Sequence, residues 1–223
     1  LGLALLLLWQ GLGVARVSDA LAAAAGLGGD PAVVASAVLL AATALLKSAQ
    51  FPAHGWLIEV TESPTPVSAL LHAGLLNAGP FLILRFAPLV DVVPAAGWLL
   101  ILVGGFTALF ASVVLCTQPS VKVALGYSSV AHMGFSLFVA GVGVYPAAAL
   151  HMVAHSFYKA HAFLSSGSAV DLARGARVQV PVRPRTPASA VLGLAVAAAT
   201  YLGVAAAVGL TPWERPGLMM VGA

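Results

Sequence analysis

Seven apolar stretches set the rhythm of the chain, at about 1–17, 32–51, 65–86, 93–116, 120–144, 146–169 and 188–210. Each comes close to the roughly 20 residues a helix needs to cross a bilayer. Turn signals separate them: Gly26 to Pro31, Pro64-Thr65-Pro66, Asp91 to Pro94, Gln118-Pro119 and Tyr145-Pro146. Connections this short favour antiparallel neighbours. The pattern predicts an all-α fold, a polytopic transmembrane helix bundle in a single domain. The chain opens at Leu1 inside an apolar stretch without a positive leader, which reads as a chain cut mid-helix and not as a signal peptide.

One stretch is interrupted. Phe51-Pro52-Ala53-His54-Gly55 breaks the second span before Trp56 to Glu59 resume a short helix, so the span is read as 32–62 with a break at Pro52 and Gly55. Two explanations fit: a helix that ends near the interface, or a broken helix of the kind transporters place at ion sites. The segment 171–187 is read as a loop, because prolines 181, 184 and 187 keep it extended. Its Arg174, Arg177, Arg183 and Arg185 place it in the cytoplasm by the positive-inside rule. Alternation then puts Lys122 and the Pro64 turn inside, and Arg16, Arg85 and Arg215 outside.

Composition agrees with lipid as the main solvent. Of 223 residues, 61% are hydrophobic and 8% charged, where a soluble domain of this length carries roughly 50 charged residues. The net charge of +3 forms no basic stripe, which leaves nucleic-acid binding without support. A single cysteine, Cys116, permits neither a disulfide framework nor a CxxC metal site.

Against this background the polar residues inside the spans stand out. Lys47 lies deep in its apolar run, with Gln50 close by, at a cost of at least ~2.5 kcal/mol. Snorkelling toward the break or pairing with a carboxylate or water chain would offset it, and Glu59 and Glu62 are either such partners or plain interfacial charges. Five of the six histidines (54, 72, 132, 151, 155 and 161) fall within predicted spans, where imidazole passes a proton between its two nitrogens. His151, His155 and Lys159 are spaced i, i+4, i+8, one helix face with steps of about 6 Å. The same HxxxH spacing can hold a metal, but further ligands are wanting and His161 lies on another face. No metal site or cofactor is therefore expected. His72, alone near mid-membrane, fits a core histidine as well as a relay. Lys122, at a span's start, fits snorkelling as well as function, and His132 follows it by roughly 15 Å.

These residues fall in motifs that resemble a known family. Lys47-Ser-Ala-Gln-Phe-Pro-Ala-His-Gly-Trp-Leu57 and Glu62-Ser-Pro-Thr-Pro-Val-Ser-Ala-Leu-Leu-His72 resemble the KSAQFPxHxWL and GPTPVSALIH signatures of antiporter-like subunits. Val121-Lys-Val-Ala-Leu-Gly-Tyr-Ser-Ser-Val-Ala-His-Met-Gly134 is similar to IKRxLAYSTxSQMG, and the run from His151 to Lys159 to HLxxHAxFKA. Those subunits are subunit L of proton-pumping NADH:quinone oxidoreductase and the large Mrp cation/proton antiporter subunits. The resemblance implies an antiporter-like fold with a discontinuous helix. It also implies a proton path through Lys47, His72, Lys122, His151, His155 and Lys159, with Gln50, His54, Glu59, Glu62, His132 and His161 as secondary candidates.

Gly55 to Val60, Leu75 to Ala87 and Lys159 to Ser168 are worded most like the membrane subunits (DabB) of DAB inorganic-carbon systems. The last predicted span lacks both a lysine and a GFFSKDEIL ending, which favours this branch over the respiratory one. The resemblance implies a bacterial inner-membrane subunit, not an enzyme by itself. Its proton or Na⁺ flow would energise CO2-to-bicarbonate uptake by a cytoplasmic DabA-like zinc protein similar to β-carbonic anhydrases. A redox-coupled respiratory subunit, an Mrp-type antiporter and a non-transporting scaffold are the alternatives.

Overall fold

A computed structural model describes residues 1–13, 16–24 and 26–175, together with Val191, Ala195 and Ala199. The chain divides into two compact units, Leu1–Ser168 and Ala169–Ala223. The second holds residues 169–175, which continue a helix; the expected extended loop therefore does not begin at 171, its first proline lying only at 181. The rest of that Arg/Pro segment beyond 175 and nearly all of the span expected at 188–210 lie outside the described residues.

The described residues form α-helices and no strand: α1 (Gly2–Leu12), α2 (Val17–Ala24), α3 (Pro31–Lys47), α4 (Gly55–Glu59), α5 (Thr65–Ala73), α6 (Ala78–Arg85), α7 (Ala87–Asp91), α8 (Pro94–Leu115), α9 (Val121–Gly141) and α10 (Tyr145–Gly175). Short 3-10 turns at Val60–Glu62 and Leu75–Asn77 follow α4 and α5. Local chemistry sets several starts. Asp30 caps α3, accepting from the N–H groups of Ala32 (2.8 Å) and Val33 (3.2 Å), with Pro31 in the first turn where its missing N–H costs nothing. Proline also opens α5, α7 and α8. Gly143, at φ 87°, turns the chain from α9 into α10. By length and composition three described segments can cross a membrane: Thr65–Arg85 (α5 and α6 together), α8 and α9.

α9 is the central element and α8 the most outward-facing of the three. The two run antiparallel with backbones in direct contact. A Cβ on Gly134 would lie 2.7 Å from the Gly104 carbonyl oxygen, and one on Gly141 would lie 2.9 Å from that of Gly97. Small residues at such crossings let membrane helices approach closely.

Two helix breaks dock on each other beside α9. α3 stops at Lys47, earlier than the expected interruption at Pro52. Ala49 takes a left-handed φ of 52°, and the chain turns until Gly55, with a cis peptide bond before Pro52. The second break, at Gly74 to Asn77, has its cause six residues on. Pro80 has no N–H to offer the carbonyl of Leu76, four residues earlier, and the Ser48 hydroxyl donates to it instead at 3.0 Å. Gly79 makes the approach possible, because a Cβ there would collide with Ser48 and the Ala44 carbonyl. The turn is tied further by the Phe51 N–H, which donates to Thr107 Oγ1 at 3.2 Å, and by Gln50, whose amide donates to the Ser48 carbonyl at 2.8 Å.

Candidate functional site

The seam between α9 and α10 gathers the basic side chains. On α10, His151, His155, Lys159 and Phe163 lie along one stripe covering roughly a third of the helix circumference. His155, Lys159 and Phe163 are buried. On α9, Lys122, Gly126, Ser129 and His132 recur at helical spacing, and His132 is the one of them that meets the α10 histidines. His132 meets two of the α10 histidines: its Nδ1 lies 3.4 Å from Nε2 of His151, and its ring centroid lies 5.4 Å from that of His155. The His151 and His155 rings are 6.4 Å apart. Three imidazoles from two helices thus form one cluster.

Lys159 is fully buried and donates to the Leu125 carbonyl at 3.2 Å, an oxygen that also accepts from Ser129 at 3.1 Å. Its ammonium lies within electrostatic reach of His72, His132 and His155. His72 arrives from α5 and stacks on Phe163 with ring centroids 4.2 Å apart. Its ring comes close to Gly126, where a Cβ would press on Thr61 and Ile58 and touch the imidazole. Both nitrogens of His72 and both of His155 have no hydrogen-bond partner among the described residues. Buried polar atoms in that state are normally met by internal water.

The other candidates lie apart from this cluster. Lys122 is half-buried and donates to the Ser63 carbonyl at 2.9 Å. Lys47 ends α3 with its side chain exposed, and Glu59 and Glu62 are exposed too. Gln50 is buried in the α3 turn, and its Oε1 has no partner among the described residues. His54 sits in an aromatic group with Phe51, Phe110 and Tyr127. His161 is exposed on the other face of α10. Pro52 and Gly55 bracket the end of the turn. Among the described residues no group of three His, Cys, Asp or Glu is arranged to hold a metal.

Sequence reasoning did not single out Phe163 or the Leu125 carbonyl, and it noted Asn77 beside His72 without its partner, Ser156 on α10, to which Asn77 donates at 2.7 Å. Phe163 had a readable signal, one turn beyond Lys159 on the same stripe. A backbone carbonyl has none.

Residues 1–179 match the transmembrane family of NADH:quinone oxidoreductase and Mrp antiporter subunits. The chain belongs to that family. It is a multi-pass membrane protein of antiporter-like fold. It is 50% identical over 149 residues, 67% of its length, to a probable inorganic carbon transporter subunit DabB of Hydrogenovibrio crunogenus. A DabB2 subunit of Halothiobacillus neapolitanus is 45% identical over 186 residues, 83% of this chain. NADH-quinone oxidoreductase subunit L of Rhodobacter capsulatus is 43% identical over 135 residues, 60% of this chain. The matches take in 29%, 34% and 19% of those proteins, so the chain spans about a third or less of each. Among solved structures, a chain of the Mrp complex from Dietzia sp. DQ12-45-1b superposes with a TM-score of 0.67 at 36% identity, covering 72% of this chain and 18% of that one.

Proposed function

We propose that this chain forms the central proton-conducting segment of a cation-translocating subunit in a bacterial inner membrane. The observation that carries the reading is the set of basic groups gathered at α9 and α10: Lys159, His155 and His151 on α10, His132 on α9 and His72 from α5, with Lys122 at the end toward the Ser63 turn. The enclosed Lys159 amine is a proton donor and acceptor set among imidazoles, and the unpartnered imidazole nitrogens suit a chain of waters that relays protons. In this reading Lys47, at the α3 break, and Lys122 deliver or receive charge at the edge of the path. The relay chemistry favours H⁺ over Na⁺, since imidazoles hand on protons and not metal cations.

The relatives named as inorganic carbon transporter subunits support a finer reading. In it, proton flow energises uptake of inorganic carbon by a cytoplasmic DabA-like zinc partner that converts CO2 to bicarbonate. The identity to subunit L favours one rival, a proton-pumping subunit of NADH:quinone oxidoreductase.

The test uses the full-length protein in its native complex. Proton flux into inverted membrane vesicles is measured for the wild type and for His155→Ala. Lost flux with normal membrane insertion supports the reading; undiminished flux sinks it.

A further inference from the structure

The proton seam does not stop at His151, and on this point the inference rests on the function proposed above. We propose that Asp91 and Tyr145 form the mouth through which the α9–α10 seam opens to water, at the end of the bundle opposite Lys122.

Four observations meet there. Tyr145, the first residue of α10, precedes Lys159 by fourteen residues, so it lies on the same stripe as His155, Lys159 and Phe163. That separation is roughly 21 Å along the helix axis, about two thirds of a bilayer's hydrocarbon thickness. The gap between Tyr145 and the histidine cluster holds one polar contact: Ser136, one turn beyond His132 on α9, is fully buried and points its hydroxyl at the Ala148 carbonyl at 3.4 Å. Ala148 is itself less than one turn from Tyr145. The phenol then donates to the exposed carboxylate of Asp91 at 2.6 Å, a charge-assisted hydrogen bond joining the end of α7 to the start of α10.

The fourth observation is a cavity. An open space of about 230 Å³ lies against this pair, lined by Asp91, Tyr145, Trp98, Gly97, Gly141 and Gly143. It has room for several waters. The carboxylate at its rim is the kind of group that exchanges protons with bulk water. The step is a transfer in which no bond other than O–H or N–H is made or broken. A proton leaves an imidazole for water beside Ser136, passes along water to the cavity, and is taken up by Asp91 before release; the reverse order serves inward flow.

A carboxylate that acts as a proton acceptor can be replaced by a mobile buffer, whereas one that only holds two helices together cannot. The experiment therefore measures proton flux in vesicles of the full-length complex for Asp91→Asn, Asp91→Glu and Tyr145→Phe, with and without imidazole on the side the cavity faces. His155→Ala is the control for the seam itself. Asp91→Asn is expected to slow flux about ten-fold, less than the 100-fold or more of a fully enclosed acid–base group because bulk water still competes. Imidazole should restore flux, Asp91→Glu should retain it, and Tyr145→Phe should fall between. Unchanged flux in Asp91→Asn, with flux absent in His155→Ala, overturns the mouth and leaves the seam. Loss that imidazole does not restore also overturns it, because the carboxylate is then a structural tie. Full flux in His155→Ala removes the seam and the mouth with it.

Discussion

Lys159 has one hydrogen-bond acceptor among the described residues, the Leu125 carbonyl, and no carboxylate opposite it. Retaining a lysine there serves stability poorly, since an apolar side chain of similar length fills the same space without desolvating a charge. Lys159→Met is therefore expected to leave the thermal unfolding temperature of the detergent-purified protein unchanged or raise it, while proton flux in vesicles is lost. A joint fall of both would assign the lysine to packing. Lys122 differs: half-buried and donating to Ser63, it makes a contact that a longer guanidinium also reaches, so Lys122→Arg should keep most of the flux in the same assay. The i, i+4, i+8 spacing made His151, His155 and Lys159 legible as one face from the sequence. That His132 joins them was not legible, because helical spacing says nothing of which neighbouring helix supplies the opposing face. Nor was the difference between Lys47 and Lys159, two lysines in apolar runs, of which one is exposed and the other enclosed.

At the scale of the element, the two helix breaks depend on each other. The Ser48 hydroxyl serves the carbonyl that Pro80 leaves unpaired, so Ser48→Ala strands a buried acceptor and should cost about 1–3 kcal/mol. Amide hydrogen exchange should show the loss spread over both breaks, residues 48–54 and 74–80; exchange raised only in the first would show that they open separately. The α8–α9 contact is stricter. Gly134→Ala puts a Cβ against the Gly104 carbonyl and the Ala108 N–H, 2.7 and 2.9 Å away, so the helices must move apart, at about 1–3 kcal/mol of overpacking. A lowered melting temperature of the purified protein checks it. The apolar runs and their proline and glycine boundaries made the helices readable, and Pro52 announced the first break. The second break was announced by Pro80 just as plainly, but its effect falls four residues upstream, inside a single apolar run.

The whole molecule is defined by its membership of an antiporter-like family and by a chain that spans about a third or less of its curated relatives. The function proposed above places its activity in a larger assembly. Purification of the tagged full-length protein in mild detergent is expected to bring down one large cytoplasmic zinc protein, identified by mass spectrometry and metal analysis. Flavin and iron–sulfur subunits in its place would move the protein to the respiratory branch, and several small membrane subunits to the Mrp branch. The glycine contacts between α8 and α9 bear on the history such a protein can have. Where two side chains touch, a larger residue on one helix can be answered by a smaller one on the other. At Gly104 and Gly134 the opposing atoms include main-chain oxygens and nitrogens, beside Leu137 Cβ and Gln50 Oε1, and main-chain atoms are ones that every residue carries and no codon change can trim. These positions offer no compensating partner, so lineages that carry this fold are free to rewrite the outward face of α8 while the glycine seam stays fixed.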